Sequence, residues 1–130
     1  MIVGIGVAFD LEPGAFKSGA ATFIEYKAIP EALEVELGGQ SVWSHAGREL
    51  SADLIFKWPR RLAPKLEMMV GAGPTVVVTR ETSWGVEAAL DVMWWPSRRV
   101  GVWLEPVYDV LFGFGRSNSF GVTAGPIVGW

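Results

Sequence analysis

The C-terminal run alternates. From Phe120 onward every second residue (Val122, Ala124, Pro126, Val128 and finally Trp130) is apolar, and the residues between are mostly small or polar: Gly121, Thr123, Gly125, Ile127 and Gly129. Successive side chains of a β-strand point to opposite faces, so this run has one greasy face and one small or polar face. The same period of two recurs along the whole chain, and it removes most helical solutions. The 16 Gly and 8 Pro are scattered throughout, and no long stretch follows a 3.6-residue period. Residues 30–37 are the best helical candidate. There Ala32, Glu34 and Glu36 alternate with Leu33, Val35 and Leu37, which is again a strand pattern. Glu31 falls on the greasy parity but sits in the turn beside Pro30.

The alternation divides the chain into eight expected strands: 2–10, 18–28, 31–38, 48–58, 64–78, 83–95, 99–112 and 119–130. One parity carries Val3, Ile5, Val7 and Phe9, then Thr22, Ile24, Tyr26 and Ala28, then Leu33, Val35 and Leu37. It continues through Leu50, Ala52, Leu54, Phe56 and Trp58, and through Leu66, Met68, Val70, Ala72, Pro74, Val76 and Val78. It ends with Trp84, Val86, Ala88, Leu90, Val92 and Trp94, and with Val100, Val102, Leu104, Pro106, Tyr108, Val110 and Phe112. None of these is charged. The other parity holds Glu25, Lys27, Glu34, Glu36, Glu49, Asp53, Lys57, Lys65, Glu67, Glu87, Asp91, Glu105 and Asp109.

Periodicity alone does not say which face is outside, but volume does. An eight-stranded barrel has an interior just wide enough for side chains to fill. The listed Trp, Phe, Leu and Val side chains would overfill it, while the glycines would be stranded outside. With the greasy face outward, Gly4, Gly6, Gly71, Gly73, Gly85, Gly101, Gly121, Gly125 and Gly129 relieve crowding in the lumen. Trp58, Trp94 and Trp130 then fall at strand ends on one rim, as an interfacial aromatic girdle requires. The expected fold is all-β: one domain over 1–130, an eight-stranded antiparallel up-and-down transmembrane β-barrel. Connections at 28–31, 58–65 and 95–99 each carry a Pro that stops the ladder. The others run through 11–17, 39–47, 79–82 and 113–118. Pro74, Pro106 and Pro126 inside strands each remove a ladder donor. Gly73 and Gly125 suggest bulges beside two of them, and Pro106 has no such neighbour.

Composition excludes several classes. The formal net charge is −3 and the basic residues form no stripe, so nucleic acid is not an expected partner. The absence of Cys removes disulfides, thiolate metal sites and cysteine nucleophiles. No run of 18 apolar residues exists, so a spanning helix is not expected. The start lacks a basic n-region and Asp10 interrupts it early, so it does not read as a signal peptide; an exported protein is expected to be in its mature form here.

With these segments in place, the chain resembles the small eight-stranded outer-membrane β-barrels related to the OmpA transmembrane domain. The carriers are Gly121-Val-Thr-Ala-Gly-Pro-Ile-Val-Gly-Trp130 and the amphipathic segments before it; Leu104-Glu-Pro-Val-Tyr108 adds a short strand motif. The resemblance implies residence in the bacterial outer membrane and contact with its lipid. It also implies a terminal strand read by the outer-membrane assembly machinery. The usual terminal residue in that class is Phe, from which Trp130 departs. A monomer is expected.

Three chemistries deserve weighing. The lumen acids outnumber Lys27, Lys57 and Lys65, and unpaired buried charge is costly, so arginines reaching in from Arg60, Arg61, Arg98 and Arg99 are expected to pair some of them. Glu25, Lys27, Glu49, Asp53, Lys57, Glu67, Glu87, Asp91, Glu105 and Asp109 then form either a shape-holding polar network or a narrow cation-preferring pore. Ser44, His45 and Glu49 are the only residues that suggest acyl hydrolysis of lipid. A lone His without Cys offers no metal site, and no cofactor is expected. Trp103 points into the lumen as a plug, and Trp43 lies in a connection. The expected role is structural or interactive without a catalytic centre. The alternatives are the narrow pore, a lipid-modifying enzyme, and a soluble barrel that binds a hydrophobic ligand in a greasy core.

Overall fold

The computed structural model describes residues 1–113 and 115–130, the side chain of Arg116 excepted. Phe114, inside the expected connection 113–118, lies outside the described residues. Eight strands follow in chain order: β1 Ile2–Glu12, β2 Ala15–Ile29, β3 Leu33–Ser44, β4 Gly47–Ala63, β5 Leu66–Val78, β6 Thr82–Trp94, β7 Val100–Gly113 and β8 Gly115–Gly129. Each pairs antiparallel with the next, and β1 pairs with β8 to close the barrel. The closure reaches the chain ends, where the Met1 amine donates to the Trp130 carbonyl at 2.8 Å. The rim with both termini is called terminal here, and the opposite rim distal.

The strands overrun the expected connections. Glu12, Ala15 and most of 39–47 are ladder residues, which leaves only Pro13-Gly14 and His45-Ala46 as turns between β1 and β2 and between β3 and β4. Gly and Ser are weak strand formers, but a closed ladder pairs every peptide group it contains and carries them along. At the terminal rim β3 begins at Leu33. Glu31 is in the turn with φ 61°, so the expected strand start at 31 moves inward by two residues.

The parity of every strand matches the sequence pattern. Ile5 is 64% exposed and Val102 46%, while Lys57 and Asp91 are fully buried. A greasy-cored soluble barrel therefore does not describe this fold. Outside, an uncharged belt runs through Ile24, Leu37, Phe56, Val70, Leu90 and Leu104. Trp94 ends β6 and Trp130 follows β8 at the terminal rim, whereas Trp58 stops short of the end of β4, which continues to Ala63. A second aromatic ring marks the distal side: Phe9 stacks on Phe16 at 6.1 Å and Trp84 tilts against Phe112 at 6.2 Å. Trp43 belongs to this ring. It lies in β3 rather than in a connection, with the Arg48 guanidinium 5.7 Å from its ring centre.

Four prolines lie in strands. Pro59 does not stop the ladder as expected: it pairs with Met69 on β5, past the last β3 partner of β4, and β4 continues to Ala63. The other three, Pro74, Pro106 and Pro126, occupy gaps in the ladders. Pairing of β4 with β5 skips from Asp53↔Thr75 to Phe56↔Ala72, leaving out Pro74. Pairing of β6 with β7 skips Pro106, and pairing of β1 with β8 skips Pro126. In each case pairing resumes in the same register, so the expected bulges at Gly73 and Gly125 are breaks without a slip. The true register shifts lie near the terminal rim, at Lys27/Ile29 and Arg61/Ala63. Each proline keeps its partner on its other side: Pro74↔Val86, Pro106↔Val122 and Pro126↔Val102.

The glycines divide into two groups. A Cβ on Gly4, Gly71 or Gly121 would meet lumen side chains, as the crowding argument requires. On Gly73 it would collide with the Leu54 carbonyl, and on Gly125 with that of Ile5. Backbone cannot yield as a flexible side chain can. Gly73→Ala is expected to destabilise the folded barrel by about 1–3 kcal/mol. Gly39→Ala, whose Cβ would meet nothing nearer than 3.7 Å, is expected to fold like the parent. Unfolding of both variants in detergent, followed by heat-modifiable gel mobility, checks the difference.

Candidate functional site

Of the 14 acidic residues, only Glu31 and Glu81 lie in turns; the rest sit on the inward parity of the barrel. The period of two forces them there once the greasy face is outside. Their surroundings differ with height along the axis.

Toward the terminal rim the lumen holds an apolar layer. Ile2, Met69, Met93 and Ile127 are buried together, and Trp95 packs against them. Trp103 meets Phe23 edge to face, with ring centres 5.0 Å apart and planes at 82°. This is the plug expected of Trp103, and it closes the bore.

Next to it stands Lys57, fully buried on β4. Its ammonium lies 2.6 Å from Glu36 Oε2 on β3, 2.6 Å from Glu105 Oε2 on β7 and 3.0 Å from Asp91 Oδ2 on β6. Glu25 Oε2 on β2 is 3.7 Å away, and the Phe23 ring centre 5.6 Å. One cation thus ties together carboxylates from four other strands across the lumen. In such a low-dielectric interior the pairing offsets desolvation only because several oxygens converge.

The expected arginines do not take part. Arg60, Arg61, Arg98 and Arg99 are exposed at the terminal rim, and every ion pair among the described residues uses a lysine. Water reaches Arg60 and Arg61 at the end of β4 and Arg98 and Arg99 in the turn after β6, so they gain little by burying a guanidinium. Lys27 is also displaced from the closed lumen: its side chain is 44% exposed and pairs with buried Glu34 at 3.3 Å. Glu67 is half-buried beside it at the terminal mouth.

On the distal side of Lys57 the lumen opens into a cavity of about 40 Å³. Its walls include Asp10, Glu49, Asp53, Glu87 and Asp109, together with Glu36 and Glu105 of the Lys57 cluster, and no Lys or Arg. Glu87 and Asp109 face each other across β6 and β7. Ser119 Oγ donates to Asp109 Oδ2 at 3.3 Å. At the distal mouth Lys17 Nζ donates to Glu12 and Glu49, both at 2.7 Å. Asp10, Glu12 and Lys17 were not anticipated as lumen residues. Asp10 already stood on the inward parity at the end of the expected β1, while Glu12 lies two residues past that end and Lys17 one residue before the expected start of β2.

Ser44, His45 and Glu49 are not brought together. Ser44 Oγ accepts from the Ala46 amide at 3.2 Å, His45 is exposed in the turn, and Glu49 is held inside by Lys17. No hydrogen bond joins the three among the described residues. The arrangement offers charge and closure rather than a nucleophile and a base.

No protein-family model and no curated protein sequence matches the chain. Solved structures do. Neisserial surface protein A matches with TM-score 0.75 at 12% identity, covering 99% of this chain and 96% of that one. A de novo designed transmembrane β-barrel matches with TM-score 0.65 at 13% identity, covering 98% and 92%. The N-terminal β-barrel domain of Pseudomonas aeruginosa OprF matches with TM-score 0.63 at 11% identity, covering 97% and 96%. At these identities the likeness is one of fold, and the chain has the fold of a small outer-membrane-type eight-stranded β-barrel.

Proposed function

We propose that this chain is a monomeric, lipid-embedded barrel of the bacterial outer membrane with a structural or interaction role, and that it does not conduct ions. The observation that carries this reading is the closed lumen, where the Lys57 cluster and the apolar layer at Met69, Met93, Trp103 and Ile127 fill the bore. The uncharged outer belt between two aromatic rings supports immersion in hydrocarbon. The short turns limit any protein partner to the rims. During biogenesis, the strand ending in Trp130 is the segment offered to the assembly machinery. The separation of Ser44, His45 and Glu49 favours this role over lipid hydrolysis.

The acidic distal cavity favours a second reading, a narrow cation pore, in which the plug would have to move. Reconstitution in planar bilayers separates the two. The refolded chain is expected to show no steady conductance steps, and reproducible cation-selective steps would replace the closed barrel with the pore.

Lys57 is expected to be the most costly single charge to remove. Lys57→Met leaves Glu25, Glu36, Asp91 and Glu105 facing one another without a counter-charge. Leaving buried charge uncompensated in this way costs about 3–5 kcal/mol. Equilibrium unfolding from detergent into denaturant measures it. A variant as stable as the parent would show that the cluster is not what holds the lumen shut.

A further inference from the structure

The charges outside the lumen are unevenly placed. Of the 11 Lys and Arg, six stand at the terminal rim: Lys27 near the end of β2, Arg60 and Arg61 near the end of β4, Lys65 in the turn after it, and Arg98 and Arg99 in the turn after β6. All six are exposed. Lys27 pairs with Glu34, but none of the other five makes an ion pair among the described residues. The acids beside them are Glu31, Glu34 and Glu67, so the rim is positive in a chain whose formal net charge is −3. Sequence order hides this patch, because its cations come from separate hairpins.

The two basic turns are locked to each other. The Trp95 amide donates to the Lys65 carbonyl at 2.8 Å, and Lys65 Nζ donates to the Pro96 carbonyl at 3.3 Å. Ser97 Oγ accepts from the amides of Arg99 and Val100 at 3.3 and 2.9 Å, which fixes the turn that carries Arg98 and Arg99. Arg61, Lys65 and Arg98 thereby share the wall of one groove of about 560 Å³, with Trp95 and Trp130 in the same wall. The patch also borders the apolar belt. Trp58, on the outward face of β4, is 58% exposed, and Arg60 follows one outward step on, about 6.6 Å along the strand. Indole rings rest at headgroup depth, and a long cationic side chain just beyond them reaches the phosphate layer.

We infer that the terminal rim binds the phosphate of an anionic glycerophospholipid of the phosphatidylglycerol kind, held chiefly by Arg60, Arg98 and Arg99. Charge complementarity and continuity with the apolar belt select this occupant. A guanidinium without a carboxylate partner can hold two phosphate oxygens through parallel N–H donors. The acyl chains of the same molecule lie against the belt, so this anion arrives tethered beside the patch, as free phosphate does not. The inference rests on the lipid-embedded reading proposed above.

Tryptophan fluorescence of the full chain tests it, with the chain reconstituted in phosphatidylcholine vesicles that contain either brominated phosphatidylcholine or brominated phosphatidylglycerol. Bromine quenches an indole that it touches. Stronger quenching by the anionic lipid is expected, equivalent to a preference of about fivefold, the effect of one Lys or Arg at an anionic surface. Added salt is expected to reduce it. Arg60→Gln, Arg98→Gln and Arg99→Gln combined are expected to abolish the preference, whereas Lys at the same three positions is expected to keep most of it. Arg80→Gln, in the exposed turn after β5, is expected to leave it unchanged. Equal quenching of the parent by the two lipids overturns the inference and leaves immersion in lipid standing. Quenching by neither overturns the lipid-embedded reading, and the inference with it. A preference undiminished in the triple Gln variant also overturns the inference. So does a preference abolished by inorganic phosphate at constant ionic strength, which marks a site for the free anion instead.

Discussion

In hydrocarbon a peptide group has no water to turn to, so it must find its partner within the chain. That constraint organises the molecule. It explains why the strands run through glycines and serines that would ordinarily end them, and why the turns shrink to two residues at Pro13-Gly14 and His45-Ala46. It also explains the position of the prolines. A residue without an N–H fits a wall of this kind where one side of its strand lacks a ladder partner: Pro74, Pro106 and Pro126 each stand in a gap, and Pro59 lies past the last β3 partner of β4. The glycines before Pro74 and Pro126 give the stranded carbonyls of Leu54 and Ile5 somewhere to lie.

The inside follows from the outside. Because the outer face must be uncharged, nearly all acids are forced inward, where they cannot remain independent. Lys57 resolves this in the middle of the barrel by meeting carboxylates from β2, β3, β6 and β7. A single ammonium at the convergence point is a more economical counter-charge than several arginines at the rim, since the guanidinium groups there would have to leave water to contribute. The cluster is therefore a cross-brace: one ammonium offsets part of the charge of four carboxylates, and it ties β4 to β2, β6 and β7, with which β4 shares no ladder.

Much of this was legible in the sequence, and the reason is geometric. A period of two is fixed by the strand itself, so the facing of Ile5, Leu54, Val102, Lys57 and Asp91 could be read without knowing any contact. The sense of the faces followed from volume, and the structure bears it out. Strand ends were less legible, because Gly39, Ser41 and Ser44 look like loop residues until a neighbouring strand pairs with them. The setting of Pro106 was not legible at all: a ladder gap belongs to two strands and their register, and no single segment records it. The same holds for the ion pairs. Arg60 and Arg99 are near the lumen in sequence terms, yet height along a tilted barrel decides which charges meet. That height places Lys57 at the centre and Lys27 at the mouth.

The seam between β1 and β8 joins residues at the two extremes of the chain, with Met1 and Trp130 bonded to each other. Every other pairing in the barrel is made by neighbours in sequence and costs little loop entropy; this one encloses everything. Before this pairing forms, β1 and β8 each present an unpaired edge on which another strand could add, and the seam removes both edges at once to leave a closed wall.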